Sequence, residues 1–190
     1  GVGIVTIQQA ARVLEHEGLL AVRRGQNGGY YGMRPDEAAL ARAMSGFLLV
    51  HRSRSNDREA IDIMSLLDCE LLPAAARCTD ASLREQLRNL GASIDARDTP
   101  DQRVAFESEM HDILFRMVER PLMELLARVT MRHYAEHPSR RMYVGKQGIA
   151  LWKEQRLRII NAILKGDQDL ARFEAERRRR HFVSQLDSGA

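Results

Sequence analysis

The chain has 190 residues, 44% hydrophobic but only 5% aromatic, and carries a formal net charge of +3 from 29 basic and 26 acidic side chains. That length supports one large or two small domains with a buried core, and the aliphatic balance argues for helices over a β-sandwich. The charge is too mild to imply nucleic acid by itself, and no apolar run approaches the length of a membrane-spanning helix, so no membrane partner is expected.

From Thr6 to Glu17 the apolar positions Ile7, Ala10, Ala11, Val13 and Leu14 recur mostly three and four apart, which predicts an amphipathic helix stopped by Gly18. Leu19 to Val22 reads as a short strand, Arg23 to Gly29 as a turn rich in residues that tolerate positive φ, and Tyr30-Tyr31 as the return strand. The hairpin carries Arg23 and Arg24 beside its tip. Pro35 cannot continue a ladder, so Asp36 is expected to cap a helix running to about Val50, which sets a boundary between a domain 1–35 and a domain 36–190.

Beyond a polar loop at His51 to Ser55, Asn56 with Glu59 resembles a capping box for a long helix that contains Pro73 and ends near Cys78. Thr79 or Asp80 caps a helix to about Ala96, Thr99-Pro100-Asp101 opens another that ends before Pro121, and Leu122 to Glu136 forms the next. His137-Pro138 breaks it, and Gly145 to Gly148 is expected to be a loop before a helix from Ile149 to Lys165. Gly166-Asp167 then turns the chain into a last helix reaching about Leu186. The fold class is therefore mainly α: an antiparallel bundle of six or seven helices behind a small β-hairpin. Cys69 and Cys78, nine apart on one predicted helix, are too distant for a disulfide and suit a reducing cytoplasm.

Charged residues in the middle of apolar helical stripes carry the most information, because an unpaired buried charge costs several kcal/mol. Glu107 and His111, one turn apart, fall within the stripe of Val104, Leu114, Phe115 and Val118. Arg156 centres the stripe of Trp152, Ile159, Ile160 and Ile163, while Arg178 lies between Ala171, Ala175 and Phe182, with His181 nearby. His133 shares the face of Leu122, Leu126 and Val129. Together these groups would enclose a polar pocket for a ligand. The plainer alternative is a buried ion pair between Glu107 and an arginine, with His111 as a satisfied core histidine. The run Arg177 to Arg180 reads as a solvated face rather than a nucleic-acid contact.

Two stretches resemble known families. Residues 1–35, "GVGIVTIQQAARVLEHEGLLAVRRGQNGGYYGMRP", are similar to the second half of the winged helix-turn-helix of GntR regulators, with matches at Gly1, Val2, Thr6, Ala10, Leu14, Glu15, Gly18, Leu19, Arg23, Gly25, Gly28 and Gly29. The resemblance implies a recognition helix for the major groove and a basic wing for the phosphates, with Thr6, Gln8, Gln9, Arg23, Arg24 and Asn27 as DNA-contacting candidates. The family's Ser-Arg pair is Gly3-Ile4 here and its next helix-face Arg is Gln8, which weakens base readout. Since the chain begins at the recognition helix, the earlier helices of such a domain are expected upstream, in a longer protein.

Residues 57–186 resemble the FCD domain, the effector-binding bundle of FadR-type GntR regulators, through Ala74-Ala75-Ala76, Glu107 to His111 followed by Arg120-Pro121-Leu122, and Ala162 to Ala171 around Gly166-Asp167. Many members of that family hold a divalent metal, often zinc, through a carboxylate and three histidines. The resemblance places these at Glu107, His111, Arg156 and Arg178. Guanidinia cannot shed their protons to coordinate a cation, so no cofactor is expected and a metal is disfavoured unless His181 or His133 completes a site.

The resemblance implies a cytoplasmic, homodimeric transcription regulator that binds operator DNA and takes a small anionic effector, a carboxylate by class, at Glu107, His111, Arg156, Arg178, His133 and His181. Two other readings stand beside it: a sensor and dimerisation module with weakened DNA binding, and a helical-bundle metalloprotein using Glu107 and His111. The last lacks the paired Glu-x-x-His motifs of di-iron bundles, and no catalytic triad or phosphate loop is visible, so no enzyme is expected.

Overall fold

A computed structural model describes residues 3–25, 28–33, 44, 46, 54–135 and 143–188, with side chains for all of these except 54–58, 132–135 and 185–188. The chain divides into two compact units, Gly1–Val50 and His51–Ala190.

In the first unit, α1 spans Ile4–His16 and is followed by an antiparallel pair, β1 at Leu20–Arg23 and β2 at Gly29–Gly32. The helix ends on Gly18, whose φ of 72° lets the Leu19 N–H turn back 2.8 Å to the Leu14 carbonyl. The strands pair Ala21 with Tyr31 and Val22 with Tyr30, and each runs a residue further along the chain than the alternation predicts. A Cβ on Gly28 would lie 2.3 Å from the Arg23 carbonyl oxygen, so only glycine lets the hairpin close here. The helix expected from Glu37 to Val50 lies outside the described residues apart from Met44 and Gly46, which are helical.

The second unit is a helical bundle: α2 Arg54–Ala76, α3 Ala81–Ala92, a 3₁₀ turn Ile94–Ala96, α4 Pro100–Val118, α5 Pro121–Ala135, α6 Gly145–Lys165 and α7 Gln168–Ser188. α2 packs most extensively on α7 and also touches α4, α5 and α6, which makes it the central helix. The core is aliphatic around a few rings, with Phe106 meeting the edge of Trp152 at 5.3 Å between centroids and with Leu71, Leu72, Leu87, Ile159 and Ile163 closely packed.

The ends of these helices follow local chemistry. Asp80 caps α3 by accepting from the Leu83 N–H at 2.9 Å, and Thr99 with Gln102 forms a complete capping box on α4. Gly166, at φ 74°, terminates α6, where the Arg84 guanidinium covers the carbonyls of Ile163 and Leu164.

Three expectations are corrected. Asn56 does not cap α2, because the helix starts before it at Arg54. The segment Gly145 to Gly148 is the first turn of α6 and not a loop. Val144 offers no side-chain cap to announce this start, and Gly148 is required because a Cβ there would lie 2.8 Å from the Tyr143 backbone. The helix predicted to run to Ala96 ends at Ala92 and tightens into the 3₁₀ turn.

Candidate functional site

Four helices bring charged side chains to one place in the bundle core. From α4, Glu107 Oε1 accepts from the Trp152 indole at 2.7 Å and from Arg156 Nε at 2.6 Å, both on α6. From α2, Asp68 pairs with Arg178 Nη2 of α7 at 2.8 Å through one oxygen and with His111 Nε2 of α4 at 3.2 Å through the other. The second nitrogen of His111 lies 2.8 Å from the Glu107 carbonyl oxygen, one turn back on the same helix. Asp68, His111, Arg156 and Arg178 are each no more than 3% exposed.

These contacts set the charges. The Glu107 carbonyl can only accept, and so can Asp68 when ionised, so beside an ionised Asp68 the His111 ring donates from both nitrogens as an imidazolium. Burial pushes the His111 pKa down, but the Asp68 hydrogen bond and charge outweigh it and the pKa is raised. Burial would raise the carboxyl of Asp68, yet Arg178 and the His111 bond hold it below its ordinary range. Glu107 is likewise lowered, burial being outweighed by Arg156 and Arg178. For Arg156, burial opposes the charge and Glu107 more than restores it.

The ion pairs do not use all the donors. Arg156 Nη1 and Arg178 Nε and Nη1 are buried without a hydrogen-bond partner among the described residues. A buried N–H left unpaired costs about 1–3 kcal/mol, more on a charged group. Arg158 Nη2 and one acceptor of the cluster, Asp68 Oδ2, likewise lack a hydrogen-bond partner among the described residues, the latter although it lies 2.8 Å from Arg178 Nη2. Aromatic rings border the guanidinia: Arg178 lies 5.2 Å from the Phe182 centroid, and Arg156 lies 6.0 Å from Tyr143 and 5.9 Å from Trp152.

Of the residues singled out in the sequence, Glu107, His111, Arg156 and Arg178 are thus brought together. His181 is not part of the ion cluster: it is half-buried and stacked on Tyr143 at 5.9 Å, its pKa lowered by burial and by Arg156. The side chain of His133 lies outside the described residues. Asp68 escaped the sequence reading, although it falls at helical spacing within the apolar stripe of Ile61, Met64, Leu71, Leu72 and Ala75 and so gives the same signal as Glu107. Tyr143, whose hydroxyl donates to Gln155 Oε1 at 2.7 Å, was also missed.

The donor set does not suit a metal. Among the described residues, no group of three or more His, Cys, Asp or Glu is placed to hold an ion. His111 has no lone pair free, and two guanidinia occupy the remaining positions.

In the first unit, Thr6, Gln8, Gln9, Arg23 and Arg24 are exposed, while Asn27 lies outside the described residues. Thr6 also edges an apolar groove of about 420 Å³ formed with Ile7, Ala10, Ala11, Leu14, Leu20 and Tyr30. Arg23 rests on the Tyr31 ring at 4.9 Å. The arginine run of α7 is a set of ion pairs, Arg177 with Glu174 at 3.7 Å and Arg179 with Asp62 at 2.8 Å, around the buried Arg178. Among the described residues no helix is long and apolar enough to cross a membrane.

No curated protein sequence matches the chain. Among solved structures, Streptococcus agalactiae GntR is similar in fold, with a TM-score of 0.61 at 18% identity, covering 98% of this chain and 82% of that one. Residues 59–178, which include Asp68, Glu107, His111, Arg156 and Arg178, match the FCD domain. The chain belongs to the FCD-domain family.

Proposed function

We propose that this chain is a DNA-binding transcription regulator of the FadR type, active as a cytoplasmic homodimer, whose bundle binds a small anionic effector of the carboxylate class between Arg156 and Arg178. The observation that carries this reading is the trio of buried, unpartnered N–H donors on those two side chains. A carboxylate is the natural acceptor for guanidinium donors in a site shielded from water.

Arg156, Arg178, Asp68 and Glu107 stand on four helices, so an anion seated among them would favour one packing of α2, α4, α6 and α7 over another. Such a shift would reset the spacing of two DNA heads on a palindromic operator, read through Thr6, Gln8, Gln9, Arg23, Arg24 and Asn27 in a head of residues 1–35. The chain is on this reading a binding protein and not an enzyme.

The test is thermal-shift and calorimetric titration of the full chain with acetate and malonate, beside Arg156→Met. Binding to the parent chain and its loss in a folded variant support the site; equal affinity in both refutes it. A sensor with weakened DNA binding is the second reading, favoured by Gly3 and the 72% exposed Ile4 at the start of α1. Salt-dependent binding of the longest natural form to a palindromic operator separates the two.

A further inference from the structure

The ion cluster is not electrically balanced. His111, Arg156 and Arg178 each carry a positive charge, Asp68 and Glu107 each a negative one, and all five sit in one core network. Three cations against two anions leave one positive charge. The charges come from four helices: Asp68 from α2, Glu107 and His111 from α4, Arg156 from α6, Arg178 from α7.

We infer that this site selects a ligand bearing one negative charge, and that Asp68, together with Glu107, sets the selection, an inference that rests on the anion site proposed above. Three of the cluster's unpartnered atoms are donors of Arg156 and Arg178, so an anion met by them fills those donors and cancels the surplus charge together. A second negative charge would then be buried with no cation to answer it. Asp68 creates this limit by occupying one end of Arg178 at 2.8 Å, where it takes up charge that a dianion would need. It also accepts from His111 through its other oxygen, which holds the imidazolium in place and keeps its proton facing α2. Asp68 is thus a specificity-determining residue that does not need to touch the ligand. Two like charges a few ångströms apart in a site shielded from water repel strongly enough to separate a monoanion from a dianion of similar size.

The experiment titrates the full chain with acetate and with malonate near neutral pH by calorimetry, in the parent protein, Asp68→Asn and Glu107→Gln. The parent is expected to favour acetate, and each variant, having lost one buried negative charge, to move the affinity ratio toward malonate by at least about tenfold. Glu107→Gln keeps the question answerable if Asp68→Asn does not fold, because it deletes the same charge from the other ion pair. Anion binding with one unchanged ratio in the parent and a folded variant would overturn the role of charge while leaving the anion site standing. Absence of binding by either probe to the parent would overturn the anion site itself and this inference with it.

Discussion

Removal of the Arg178 guanidinium should expose how the buried cluster is held together. In Arg178→Met, the stem packing beside Phe182 is kept, but the Asp68 oxygen 2.8 Å from Nη2 loses its cation and Asp68 is left with His111 alone, in a site that is 3% exposed. Stranding one member of a buried pair costs about 3–5 kcal/mol, and the lost contact of the cation with the Phe182 ring adds roughly 0.5–2 kcal/mol. At roughly 2–4 °C per kcal/mol for a chain of this size, the unfolding midpoint should fall by at least about 6 °C. Asp68→Asn should cost a comparable amount by stranding Arg178 instead. The double variant leaves neither charge stranded, so it should be more stable than the sum of the two single losses by about 3–5 kcal/mol. Urea denaturation followed by circular dichroism gives all four corners of the cycle. Singles that each cost under about 1 kcal/mol, or that simply add in the double variant, would refute the view of Asp68 and Arg178 as a mutually dependent buried pair.

The same network sets a pH dependence with a definite sign. Asp68 and Glu107 have lowered pKa values, so their stabilisation is complete above the ordinary values of 3.8 and 4.5 and is lost as pH falls through the depressed ones. His111 is raised, so its contribution is complete below 6.5 and is lost as pH climbs through the raised value. The difference in melting temperature between the parent and His111→Gln should therefore be largest near pH 5–6 and shrink as the solution becomes alkaline; a constant difference would show that the ring is not charged in the fold. At the start of α6, Gly148→Ala should destabilise by roughly 1–3 kcal/mol despite alanine's better helix propensity, because the new Cβ would lie 2.8 Å from the Tyr143 backbone. A gain in thermal stability would mean that the Tyr143 segment does not pack so closely on this helix.

Most of the bundle was legible in the sequence because its helices carry their own punctuation. Asp80, Thr99 with Gln102, and Gly166 each mark a terminus by a side-chain or backbone bond that local spacing reveals. Where the start of a helix is set by packing, the signal fails: α6 opens at Gly145 with no side-chain cap, and its glycines read as a loop although Gly148 is there for a close approach. The core charges followed the same logic. Glu107, His111, Arg156 and Arg178 stood out because each interrupts an apolar stripe. Asp68 interrupts one as clearly, that of Ile61, Met64, Leu71, Leu72 and Ala75, but Asp62 and Glu70 on the same helix made a carboxylate there look ordinary. Its significance appears only when α2 is seen to be the central helix, which is a long-range fact.

Finding Asp68 changes what the two arginines mean. Opposite Glu107 alone, a pair of inward arginines would make a strongly positive hole suited to any anion. With Asp68 on Arg178 and Glu107 on Arg156, each guanidinium is already held in place and mostly neutralised, and the surplus comes from His111, locked between two acceptors. The same imidazole that would serve as a metal ligand in a histidine-rich site is here tied up as a cation, so substitution at the arginine positions and the presence of Asp68 act in one direction. Both replace a centre that could recruit positive charge from solution with one that carries it in the chain. On the proposed reading, a site with its charge built in would need no ion to take an anion, and its preference among anions would be set by side chains that mutation can alter one unit at a time.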